Sequence, residues 1–123
     1  MNKLILTLVL LAQTVAASAA PAQTKKAEKQ IQEPRWESIG ACRVTEYCPI
    51  CNDPEGYESS SGKVLQNGDV ACNWLPNGTR IRIDGKEYTV NDYCGTEAID
   101  IFIDTDECWC DKNAYEEVYI KEE

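Results

Sequence analysis

All seven cysteines of this 123-residue chain (Cys42, Cys48, Cys51, Cys72, Cys94, Cys108 and Cys110) stand behind an N-terminal segment with the features of an export signal. Lys3 gives that segment a positive start, Leu4 to Ala12 is apolar apart from Thr7, and Ala17-Ser18-Ala19 puts small residues where a signal peptidase cuts. The apolar run falls short of the ~20 residues that a membrane-spanning helix requires. Residues 1–19 therefore read as a signal peptide. Residues 20–37, rich in Ala, Gln, Lys and Glu and broken at Pro34, read as a linker, and residues 38–123 as one domain.

A domain of this size buries about two-thirds of its unfolded surface, so covalent staples help it. In an oxidising setting the seven cysteines are disulfide candidates. Their odd number leaves at least one without an intrachain partner, and spacing alone does not fix the connectivity. Cys48-Pro49-Ile50-Cys51 taken with Cys108-Trp109-Cys110 also has the spacing of a four-thiolate zinc site. The export signal weighs toward disulfides, so neither a metal nor a cofactor is assigned. Asp100, Asp104, Asp106 and Glu107 lack the glycine that an EF-hand calcium loop needs.

The formal net charge is −9, and loss of Lys3 with the signal takes it to −10. Such a surface repels phosphate backbones and anionic lipid, which argues against nucleic acid and, after signal cleavage, against a membrane as partner.

Beyond Ile39 the chain is built of short alternating runs punctuated by Gly, Asp and Asn, with no sustained helical period. Strands are expected at about 39–47, 69–73, 79–84, 86–91, 98–103 and 116–121. Asp84-Gly85, between Arg80-Ile81-Arg82-Ile83 and Glu87-Tyr88-Thr89-Val90, supplies the positive φ angles of a tight hairpin. Ile99, Ile101 and Ile103 share one face and leave Asp100 and Phe102 on the other. Residues 52–68 read as a long loop. Thr105 is placed to cap a short helix over 106–112. Six short strands with turns between them suggest an all-β barrel.

The ordered set Val44-Thr45-Glu46-Tyr47, Ser60-Ser61-Gly62, Val70-Ala71, Leu75-Pro76-Asn77-Gly78-Thr79-Arg80-Ile81, Tyr88-Thr89-Val90-Asn91-Asp92, Ile99-Asp100-Ile101-Phe102 and Val118-Tyr119-Ile120 resembles the three-aspartate (3D) domain of bacterial cell-wall proteins. That family is related to the barrel domain of the A-type membrane-bound lytic transglycosylases, and more distantly to barwin and the expansins. The resemblance implies a small six-stranded double-psi β-barrel, to which the oxidising setting adds disulfides, and functional aspartates lying in a groove across it. Two of the three aspartates fall on Asp92 and Asp100. The first falls near Asn73, an amide here, and the family's Asp-Thr-Gly-Gly stretch is altered to Asp92-Tyr93-Cys94-Gly95.

The chain has no histidine, which excludes Cys–His and Ser–His catalysis and histidine-ligated zinc. Carboxylates remain, and glycosidic-bond cleavage is the chemistry they perform best. The resemblance implies a secreted or wall-associated bacterial protein that cleaves peptidoglycan glycan strands as lytic transglycosylases do; a monomer is expected. In this reading Asp100 is the catalytic acid and base, and Asp92 raises its pKa or orients the sugar. Thr45, Tyr47 and Asn73 would contact substrate. The alternative is a non-catalytic wall-binding or wall-loosening module of barwin or expansin type. It draws on the amide at Asn73 and on the lack of a second domain to grip the glycan.

Overall fold

A computed structural model describes residues 32–122. The signal peptide and residues 20–31 of the linker lie outside the described residues. Six strands follow in order: β1 (Trp36–Tyr47), β2 (Asp69–Ala71), β3 (Arg80–Ile83), β4 (Lys86–Asp92), β5 (Ile99–Phe102) and β6 (Asn113–Lys121). They close into a barrel in the order β1-β5-β2-β4-β3-β6, so among the described residues the long strands have no free edge. All six expected strands are present. β1 starts early enough to take up Trp36 and Glu37, the last two residues assigned to the linker. Trp36 is held there by Arg82, whose guanidinium carbon sits 4.2 Å from the ring centroid.

Most neighbours pair antiparallel, but β1 with β5 and β2 with β4 run parallel. The β3–β4 hairpin turns at Asp84 (φ 50°) and Gly85 (φ 76°), the double positive-φ turn that an Asp-Gly pair adopts. Inside the barrel, Val44, Val70, Cys72, Ile81, Ile83, Val90, Ile99, Ile101 and Val118 form one buried cluster. The alternation of β5 is borne out: Ile99 and Ile101 belong to this cluster, whereas Phe102 faces away from it.

Two bulges set which side chains face where. In β1, Ser38 pairs with Tyr119 and Gly40 with Val118, so Ile39 is the extra residue and Gly40 adopts φ 92°. In β4, Val90 pairs with Val70 but Asp92 with Ala71, which makes Asn91 the extra residue. Without that insertion Asp92 would continue the alternation and point into the apolar interior. With it, Asp92 joins Ala71 on the outer face.

The segment 52–68 is a turn-rich loop, as expected, and it has a structural task. Leu65 packs onto Tyr47, Ala71 and Phe102, forming a second small core on the outside of the sheet. The helix expected over 106–112 is not formed. Thr105 does accept the Glu107 amide at 3.2 Å, as a cap would. The chain bends at Asp106 and Glu107 and then folds so that the Asp111 amide bonds to the Trp109 carbonyl at 3.0 Å. The segment has no apolar face to bury, and Trp109 is left 77% exposed. Among the described residues no helix is long and apolar enough to cross a membrane.

Candidate functional site

Four register partners on four neighbouring strands form a row across the outer face. Thr45 on β1 pairs with Asp100 on β5, Asp100 with Ala71 on β2, and Ala71 with Asp92 on β4. Directly paired residues point to the same side of a sheet, so both carboxylates and the threonine share one face. Asp92 and Asp100 stand two strand spacings apart, roughly 10 Å between backbones, with only the small side chain of Ala71 between them.

The two carboxyls differ in how they are held. Asp92 is buried. Its Oδ1 accepts the amides of Ser60 at 2.8 Å and Tyr93 at 2.9 Å, and its Oδ2 accepts the Tyr47 hydroxyl at 2.8 Å. Burial pushes the Tyr47 phenol far above its ordinary range, and the bond to Asp92 adds to the effect. Asp92 thus ties the 52–68 loop and the turn after β4 to the sheet, and its acceptor capacity is largely used.

Asp100 is half-buried and has one side-chain hydrogen bond, from the Thr45 hydroxyl at 2.8 Å to Oδ1. Burial raises its pKa above the usual carboxylate value. The Thr45 donor works against that, and the negative charges of Asp92 and Glu46 reinforce it. A carboxyl with a raised pKa and one oxygen free of side-chain bonds is equipped to give and take a proton.

Beside this row, an open cleft of about 490 Å³ is lined by Ala41, Cys42, Arg43, Trp74, Glu97 and Tyr115. Arg43 lies two residues before Thr45 on the same face of β1, and Tyr115 is its cross-strand partner. Trp74 and Tyr115 are 45% and 74% exposed, so the cleft offers two aromatic surfaces to a ligand. Trp74 is oriented there by its indole N–H, which donates to the Glu97 carbonyl at 2.8 Å.

The expected site residues are not all brought together. Thr45 and Asp100 meet, as do Tyr47 and Asp92, though Tyr47 has only 8% of its surface open and serves Asp92 rather than a ligand. Asn73 is exposed just beyond β2, and both ends of its amide are engaged. Oδ1 accepts the Cys94 amide at 2.9 Å and Nδ2 donates to the Thr96 carbonyl at 3.1 Å. Sequence reasoning missed the Ser60 amide as an Asp92 donor, and Asp69, buried on the Asn91 amide at 2.6 Å and the Gln66 N–H at 3.0 Å. The Ser-Gly-Asn texture of the loop signalled turns but not where they would dock.

No two of the seven cysteines are at disulfide distance in this structure. Cys42 and Cys72 belong to the barrel interior, where burial is the largest cause raising both thiols. Cys94 packs against the outer core and directs its sulfur to the carbonyls of Thr96 and Ala98, each at 3.2 Å. The other four gather at one end of the barrel.

Comparison of the chain with family models, with curated proteins and with solved structures finds no match.

Proposed function

We propose that this chain is a secreted bacterial protein that cleaves peptidoglycan glycan strands in the manner of a lytic transglycosylase, with Asp100 as its single acid and base. The observation that carries the reading is the state of the Asp100 carboxyl: half-buried, raised in pKa, fixed by Thr45 on one oxygen and beside an aromatic-lined cleft. Protonated Asp100 gives its proton to the glycosidic oxygen as the bond to the anomeric carbon breaks. The carboxylate then takes the proton of the muramoyl 6-hydroxyl as that oxygen attacks the same carbon. The products are a free hydroxyl on the leaving sugar and a 1,6-anhydro end, with no water consumed.

Asp92 acts on this reaction through its charge and its hold on the surrounding loops, as a positioning residue. Trp74 and Tyr115 are suited to sugar rings, which stack on aromatic faces, and Arg43 to a peptide carboxylate. We also read the barrel as double-psi in type. The ordered sequence resemblance supports this, as do the two parallel pairs, β1 with β5 and β2 with β4, in an otherwise antiparallel barrel.

The test is incubation of the purified protein with peptidoglycan and mass spectrometry of the soluble products, with Asp100→Asn in parallel. Anhydro-muramoyl ends made by the wild type and absent with the variant are expected. A second reading, a wall-binding module without catalysis, is favoured by one observation: the acceptors of Asp92 and the amide of Asn73 are already engaged inside the protein. Binding to the wall without released product, unchanged in Asp100→Asn, would establish it instead.

A further inference from the structure

We propose that Cys48, Cys51, Cys108 and Cys110 bind one zinc(II) ion as four thiolates, clamping the turn after β1 to the connection between β5 and β6. The barrel topology brings them together. β1 and β5 are parallel, with Tyr47 opposite Phe102 as their last rung, so both chains leave the sheet at the same end. Cys48 follows Tyr47 directly, and the Ile103 amide extends the ladder one step further by bonding to the Tyr47 carbonyl at 2.8 Å. A second tie, from the Tyr57 hydroxyl to Asp104 at 2.8 Å, holds the two loops side by side.

The four sulfurs all lie within 4.8 Å of one another. Tetrahedral zinc with Zn–S bonds of about 2.3 Å sets its sulfurs roughly 3.8 Å apart, so a contraction of an ångström or less completes the site. Disulfides impose a different arrangement, gathering sulfurs by twos at about 2 Å with a dihedral near 90°. Here the four sulfurs form one group and no two of them are at disulfide distance.

The backbone is arranged for thiolates. The Cys48 amide donates to the Cys51 sulfur at 3.1 Å. Such an N–H donor helps to offset the charge that four thiolates bring to one dication. Binding releases four thiol protons and involves no electron transfer. With four protein ligands the site is closed, so the ion has a structural role. Cys42 and Cys72 lie with the barrel interior and Cys94 with the outer core, so none of the three takes part.

The full chain, recovered from its exported compartment without chelator, is expected to carry about one equivalent of zinc by elemental mass spectrometry. Zinc is lost in Cys48→Ser, Cys51→Ser, Cys108→Ser and Cys110→Ser but kept in Cys42→Ser. Should the four variants fail to fold, the wild type alone decides. Reduced and titrated with cobalt(II), it should give the charge-transfer and d–d absorption of a tetrahedral all-thiolate site at one equivalent. A zinc-free exported chain whose four cysteines map to two disulfides, iron in place of zinc, or no such cobalt spectrum would each overturn the proposal.

Discussion

Asp92 and Asp100 are both register partners of Ala71, one across the parallel β2/β4 ladder and the other across the antiparallel β2/β5 ladder. The same face therefore carries one carboxylate that the fold uses and one that it leaves available. Three donors converge on Asp92, whereas Thr45 alone bonds to the Asp100 side chain. Removing the first carboxyl should be felt in stability, and removing the second in chemistry.

Tyr47→Phe deletes the hydroxyl that Asp92 accepts and leaves a buried carboxylate oxygen without that donor. The expected cost is about 1–3 kcal/mol. Chemical denaturation with and without Asp92→Asn measures it. The two substitutions should be non-additive, since both act on the same bond.

Because the Asp100 carboxyl is raised, the folded chain holds this proton more tightly than the unfolded one. Ionising it costs stability as pH climbs from the ordinary aspartate value of about 3.9 through the raised one. Asp100→Asn removes that cost. Thermal unfolding should show the variant gaining on the wild type between acid and neutral pH, with no such gain at the acid end. A difference independent of pH would mean that Asp100 is well solvated.

Thr45→Val takes away the donor that stabilises the Asp100 anion and leaves burial and the Asp92 charge to act unopposed. Since the acid form starts the proposed cleavage, the basic limb of the pH–rate profile should move to higher pH. Product release measured across a pH series reads the shift directly.

Gly85 sits at φ 76° in the β3–β4 turn, where a side chain is strained whatever space surrounds it. Gly85→Ala should cost about 1–2 kcal/mol. Gly95 has no positive φ and an unobstructed Cβ direction, so Gly95→Ala should stay within about 0.5 kcal/mol of the wild type. Paired melting curves distinguish the two.

The strands were legible because their signals are local: alternation in β3, β4 and β5, and Asp-Gly between two such runs. What alternation cannot carry is an inserted residue. Read as a regular strand, β4 sends Asp92 inward after Val90, and only the pairing with β2 reveals Asn91 as the extra residue that turns it out. The docking of Ser60 onto Asp92 spans 32 positions of sequence and leaves no periodic trace. The helix expected after Thr105 failed for a related reason: a good cap was present, but no apolar face followed it to be buried. The four clustered cysteines were visible as spacing, while their convergence depends on β1 and β5 being parallel neighbours.

The antiparallel β1/β6 pair runs from Trp36 opposite Lys121 to Thr45 opposite Asn113, so the first and last strands enter and leave at one end of the barrel. A pull applied between residues 36 and 121 would load that ladder in unzipping geometry, one rung at a time, rather than shearing all its bonds at once. Tethered through residue 36 alone, the barrel would transmit no such load and would keep its seam closed under tension in the tether.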